Sequence, residues 1–211
     1  MTELLDQYMS ELPLVGILRG ITPQQSEAVA EALYAAGFRI VEVPLNSPDP
    51  LDSIERIAKQ FGNDMLVGAG TVLATEQVAQ VKDRGARLVV APNTNVSVIE
   101  ASVALEMVTI PGAATPSEAF AGIAAGAHAV KVFPAEMITP SILASWRAVI
   151  PASAGLLPVG SIDHTNMADY WQAGASGFGL GGSLYKPYFS LGDISANATK
   201  LAWSMASTMK T

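Results

Sequence analysis

A single lysine stands in the middle of an apolar run, Ala127-His128-Ala129-Val130-Lys131-Val132-Phe133-Pro134-Ala135. On the two-residue period of a strand, Ala129, Lys131 and Phe133 share one face and Val130 and Val132 the other. An ammonium placed inside a protein either pairs with an anion or has its pKa lowered until the amine becomes a nucleophile. A lowered pKa would mean Schiff-base chemistry on a carbonyl substrate. The plainer alternatives are a lysine that snorkels from the strand end or one bound to a structural carboxylate. Two further charges fall late in strand-like runs. Arg19 shares a face with Val15 and Ile17, and Glu42 with Ile40 and Pro44. The same parity groups Val67, Ala69 and Thr71. For Glu42 alone, a structural partner to a buried base is as good a reading as catalysis, and the convergence of three charges is what favours chemistry.

Two glycine-rich runs could receive an anion. Pro158-Val159-Gly160-Ser161 precedes a helix expected to open at Asp163, and Gly179-Leu180-Gly181-Gly182-Ser183 ends the last strand. Backbone N–H groups and a helix N-terminus there would hold phosphate. Gly177, Gly179 and Gly182 also match dinucleotide spacing, but too little chain follows to carry a ribose-binding acid on a further strand. The two histidines, His128 and His164, lack a second ligand at metal spacing, so no metal site is expected. Trp146, Trp171 and Trp203 fall on helices and read as packing or interface residues.

These groups need a frame, and the chain supplies a repeated one. After a short helix from about Leu4 to Glu11, strands are expected at Leu14–Gly20, Arg39–Leu45, Met65–Thr71, Leu88–Asn93, Val108–Ala113, the lysine run, Gly155–Ser161 and Gly177–Leu180. Helices at 23–36, 50–61, 75–84, 96–105, 116–125, 140–149, 163–172 and 190–209 alternate with them. Eight strand–helix units without a break in composition predict one α/β domain over residues 1–211, a (β/α)8 TIM barrel with a short N-terminal helix. An open doubly wound sheet is the competing arrangement. Gly37, Gly85, Gly126 and Gly174 recur where a helix stops and a strand follows. In a barrel, the late positions of each strand face the active-site mouth, which is where Arg19, Glu42 and Lys131 lie. Arg39 and Arg87 sit at the other strand ends and read as stabilising surface residues.

Composition narrows the partners. Half of the 211 residues are hydrophobic and 15% are charged, enough for a large core and some surface hidden in an oligomer. The net charge is −7 with no basic stripe, which argues against nucleic acid. The absence of cysteine removes disulfides, thiolate nucleophiles and Cys-based metal sites. The acidic start and the lack of a long apolar span predict a cytoplasmic protein with no membrane partner.

Five segments taken together resemble a known family: Gly16-Ile17-Leu18-Arg19-Gly20, Val41-Glu42-Val43-Pro44-Leu45-Asn46-Ser47, Val67-Gly68-Ala69-Gly70-Thr71-Val72-Leu73, Lys131-Val132-Phe133-Pro134-Ala135 and Gly181-Gly182-Ser183. They are similar, in order and over nearly the whole chain, to the class I aldolases of the 2-keto-3-deoxy-6-phosphogluconate and 6-phosphogalactonate family. The resemblance implies a cofactor-free, homotrimeric (β/α)8 barrel that cleaves a phosphorylated keto-sugar acid to pyruvate and D-glyceraldehyde 3-phosphate. It implies Lys131 as the Schiff-base lysine and Glu42 as the proton-transfer group. Arg19 and Thr71 match positions that hold the carboxylate end, and Gly160, Ser161, Gly182 and Ser183 match the phosphate loops. Pro92, Phe133 and Gly181 join them as substrate-contacting positions. Asn46 and Val159, where the gluconate enzymes carry arginine and threonine, look like the galactonate branch. Ser161 departs from the family, which usually has a second glycine there. The phosphogluconate epimer, a 4-hydroxy-2-oxoacid substrate, or a barrel that binds sugar phosphate without turnover are the alternatives.

Overall fold

The computed structural model describes residues 3–210. In chain order its elements are α1 (Glu3–Met9), β1 (Leu14–Ile17), α2 (Pro23–Ala35), β2 (Ile40–Pro44), α3 (Pro50–Phe61), β3 (Leu66–Gly70), α4 (Thr75–Asp83), β4 (Leu88–Val90), α5 (Val96–Ala104), β5 (Val108–Ile110), β6 (Gly112–Ala113) and α6 (Pro116–Ala124). There follow β7 (Ala129–Val132), a 3-10 turn (Ala135–Met137), α7 (Pro140–Arg147), β8 (Gly155–Pro158), α8 (Met167–Gln172), β9 (Phe178–Leu180) and α9 (Leu191–Thr208). The helices begin and end where local chemistry dictates. Proline occupies the first turn of α2, α3, α6 and α7, where no intrahelical N–H is needed. At the other end the four recurring glycines all take left-handed backbone, with φ of 100° at Gly37, 86° at Gly85, 97° at Gly126 and 96° at Gly174. At the first of them Gly37 N–H donates to Tyr34 O and Phe38 N–H to Leu33 O, both at 3.0 Å, which satisfies two orphan carbonyls and turns the chain into β2.

Every strand pair is parallel, with order β5-β4-β3-β2-β1-β9 in one curled sheet and β6-β7-β8 in a second. The expectation of one eight-strand barrel is therefore met only as a parallel α/β architecture with curled sheets. Two prolines account for the interruptions. Pro111 divides the fifth expected strand into β5 and β6, and Pro158 ends β8, which reaches β9 only through the isolated Val159–Gly179 bridge.

Side-chain alternation sorts the core into two apolar clusters. Val41, Val43, Val130, Val132 and Leu156 pack outward against helices. Val15, Ile40, Leu66, Leu88, Ile110, Ala129 and Leu157 pack on one another inside, joined by Leu5, Tyr8 and Met9 of α1. The third strand corrects the expected parity: Leu66 belongs to the inner cluster and Val67 and Ala69 to the outer one. Gly68 and Gly70 consequently face inward. A side chain at Gly68 would strike Leu88, at 2.5 Å from its Cβ, so the bare position lets the neighbouring strand close up.

The strand starts are sealed. Arg87 donates to Tyr8 Oη at 3.0 Å and to the carbonyls of Gly62 and Met65 at 2.6 and 3.0 Å, locking α1 under the sheets. Arg39 lies 4.3 Å above the Tyr34 ring and 3.7 Å from Glu11, the stabilising role expected of it. Among the described residues no helix is long and apolar enough to cross a membrane.

Candidate active site

The strand ends opposite α1 open into a cavity of about 530 Å³. Nine of the sequence-predicted positions line it: Arg19, Lys131, Phe133, Val159, Gly160, Ser161, Gly181, Gly182 and Ser183. Lys131 also borders a narrow inner crevice with Glu42, Ile17, Val159 and Gly179, so it forms part of the wall between the two spaces. The convergence expected of Arg19, Glu42 and Lys131 is present, arranged in depth.

Lys131 is 5% exposed, and its ammonium lies 4.8 Å from the centre of the Phe133 ring. Burial lowers its pKa, Arg19 lowers it further, and Glu42 opposes both. Glu42 is 1% exposed, and its Oε2 has no hydrogen-bond partner among the described residues. Burial raises its pKa to about 7 against the attraction of Lys131 and Arg19. Removing both groups from water drives each toward its neutral form. Such a pair suits nucleophilic attack by an amine with an acid at hand to move protons. Room for the carboxyl comes from Gly70, where any side chain would overlap it.

Arg19 is aimed by a bond from its Nη1 to Asn46 Oδ1 at 2.7 Å, and the next residue, Gly20, donates its N–H to Ser47 Oγ at 2.9 Å. Asn46 thus reaches the site through Arg19. Thr71 follows the inward Gly70, and its φ of 57°, strained for a β-branched residue, marks a sharp exit from β3. Thr71 and Pro92 do not line the open cavity. The carbonyl of Pro92 instead lies against Gly112.

The glycine turns differ from expectation in one respect. The helix expected to open at Asp163 starts at Met167, because Asp163 is engaged in a turn. Its Oδ1 accepts from Thr165 N–H at 2.7 Å and Thr165 Oγ1 at 2.6 Å, which holds its carboxyl below the usual range. An anion here would therefore meet turn N–H groups, with no helix end behind them. Ser161 has φ 48° after Gly160 at φ 110°. Its hydroxyl donates to Glu136 Oε1 at 2.7 Å and its carbonyl accepts from Asn166 Nδ2 at 2.8 Å. These bonds hold a non-glycine residue in left-handed backbone. Ser183 Oγ donates to Ile162 O at 2.8 Å and ties the two turns together.

Two residues escaped the sequence reading. Glu136 carries no periodic signal, although it follows Lys131 by five positions and its carboxylate presses on Gly160. Lys186 lines the open cavity. The signal available for it was a cation three residues past the Gly181-Gly182-Ser183 turn. His128 accepts from Thr109 N–H at 3.1 Å at the start of β7, away from the cavity. Among the described residues no group of three or more His, Cys, Asp or Glu side chains could hold a metal ion.

A buried lysine and a buried acid share one crevice under a rim of glycine turns on parallel strands, and the chain belongs to the KDPG and KHG aldolase family, whose model matches residues 5–195. It is 47% identical over 188 residues, 89% of each chain, to the probable 2-dehydro-3-deoxy-6-phosphogalactonate aldolase of Rhizobium meliloti (strain 1021). Over 180 residues, 85% of this chain and 88% of the relative, it is 42% identical to the 2-dehydro-3-deoxy-6-phosphogalactonate aldolase of Escherichia coli (strain K12). A solved structure described as native KDPGal superposes with a TM-score of 0.94 at 38% identity, covering 95% of this chain and 98% of that one.

Proposed function

We propose that the protein is a Schiff-base aldolase that cleaves 2-dehydro-3-deoxy-6-phosphogalactonate to pyruvate and D-glyceraldehyde 3-phosphate. The observation that carries this reading is the placement of Lys131 and Glu42 on one inner crevice, each driven toward neutrality by burial. Lys131 Nζ adds to the C2 carbonyl, and the carbinolamine loses water with Glu42 relaying protons. The iminium nitrogen then takes the electron pair of the breaking C3–C4 bond while Glu42, directly or through water, accepts the C4 hydroxyl proton. The aldehyde phosphate leaves, the enamine gains a proton at C3, and water hydrolyses the imine to free pyruvate and Lys131. Arg19, aimed by Asn46, holds the carboxylate, with Phe133 beside the keto-acid end. The turns at Gly160-Ser161 and Gly181-Gly182-Ser183 receive the phosphate, so binding far from the breaking bond positions C4 at the base. Val159 and Asn46 favour the galactonate epimer.

The frame for this chemistry is read as a closed (β/α)8 barrel, supported by the Val159–Gly179 bridge on one seam and the bond from Lys131 N–H to Pro111 O at 2.8 Å on the other. A homotrimer is supported by Leu73, Val96 and Phe120, each more than 40% exposed, and a monomer by sedimentation would refute it. The decisive experiment is borohydride reduction in the presence of pyruvate. Mass analysis should find the reduced adduct on Lys131, and unmodified protein would refute the mechanism. Relative kcat/KM on the two C4 epimers then tests the substrate assignment, with faster cleavage of the galactonate expected.

A further inference from the structure

Three cations line the open cavity, and the mechanism uses two of them. Lys186 remains. It follows the Gly181-Gly182-Ser183 turn, its Cε 3.6 Å from where a Cβ on Gly182 would stand. Its ammonium is 5.8 Å from the centre of the Tyr188 ring and 5.6 Å from that of Phe189. Among the described residues it has no ion-pair partner.

Neither acid of these turns ion-pairs with it among the described residues. Asp163, which shares the cavity, accepts two bonds from Thr165, and Glu136 accepts the Ser161 hydroxyl. Beside Lys186 the turns offer donors without a net charge. Among the described residues, no carbonyl or side chain accepts from the N–H of Ser161, Gly182 or Ser183. Turn N–H groups can shape an anion site, but a phosphate dianion taken partly out of water also needs a counter-charge. A lysine supplies it as a point charge that tolerates loose geometry. The segment is also anchored. Pro187 lies against Gly20, with its Cγ 2.7 Å from where a Cβ would stand, so the Lys186 turn is braced on the residue that follows Arg19.

We propose that Lys186 is the specificity-determining residue that makes the site demand a phosphorylated tail, neutralising the dianion cradled by the two glycine turns. This rests on the aldolase reading above for the identity of the substrate, while the anion site itself does not. The experiment compares wild type, Lys186→Met and Lys186→Arg on the phosphorylated keto acid and on the same acid without its phosphate. Loss of one charge-assisted contact should lower kcat/KM of Lys186→Met on the phosphorylated substrate roughly tenfold to a hundredfold, mostly through KM. The unphosphorylated acid should lose far less, so the selectivity ratio collapses, and Lys186→Arg should restore most of it. Titration with inorganic phosphate, followed by 31P line broadening, should show a matching loss of affinity in Lys186→Met. Equal losses on both substrates, or unchanged phosphate affinity, would overturn the assignment. If wild type captures no pyruvate under borohydride, the aldolase reading fails by itself. The phosphate titration then still decides Lys186, weakened affinity in Lys186→Met supporting it and unchanged affinity rejecting it.

Discussion

The two ends of the strands treat their charged groups in opposite ways. At the end sealed by α1, Arg87 spends its guanidinium on three oxygens and Arg39 lies between an aromatic ring and an acid. At the open end, Glu42 is buried with Oε2 unpaired, Lys131 is kept from water, and Lys186 has no ion-pair partner among the described residues. Satisfied polar groups stabilise, and unsatisfied buried ones cost stability, which is why they mark candidate functional sites. The contrast separates the part of the molecule that holds the fold from the part proposed to do the chemistry.

The largest effect should come from breaking the open end at its proposed nucleophile. Lys131→Ala should lower turnover on the order of 10⁵-fold or more, the scale of a lost nucleophile, with the thermal midpoint held or raised because a buried amine is gone. A variant that still cleaves near the native rate would refute the lysine assignment. Glu42→Gln should cost roughly 10²- to 10⁴-fold in kcat, as for a lost general acid–base group. In wild type the rate should rise with pH through a midpoint near the raised value of about 7, and the variant should lose that limb.

Stability sharpens the same point. The native state keeps a proton on Glu42 that the unfolded chain releases from 4.5 upward, so stability is full below that value and falls as pH rises toward about 7. Urea unfolding across this window should show the decline in wild type and a flatter line in Glu42→Gln. A wild-type curve that climbs instead would mean that the carboxylate is stabilised as an anion. The smallest effect on catalysis belongs to the sealed end. Arg87→Met should cost about 1–3 kcal/mol of stability by removing the bonds to the half-buried Gly62 and buried Met65 carbonyls, with kcat unchanged. A fall in kcat with stability intact would show that the two ends are coupled.

What the sequence made legible follows from which signals polarity can carry. Lys131 was readable because one charge in an apolar strand has a face by parity, and Arg19 and Glu42 followed by the same rule. Gly37, Gly85, Gly126 and Gly174 marked the helix stops because few other residues tolerate that backbone. The third strand was not legible in phase: Leu66, Gly68 and Gly70 alternate with Val67 and Ala69, and the one polar residue of the expected run, Thr71, lies past the strand end at φ 57°, where it does not mark the inward face. The break at Pro111 and the late start of α8 depend on pairing and on the Asp163 turn, which lie outside any helical or strand period. Lys186 and Glu136 lie in connections, where side chains are aimed by tertiary contacts alone.

The inward glycines of β3 carry a last implication. Because the carboxyl of Glu42 rests on the bare backbone of Gly70, the proposed acid–base group is located by vacancy on an adjacent strand as much as by its own tether. One methyl grafted at that spot, in Gly70→Ala, overlaps the carboxyl and should displace it, so turnover should fall with Lys131 and Glu42 both still in the chain.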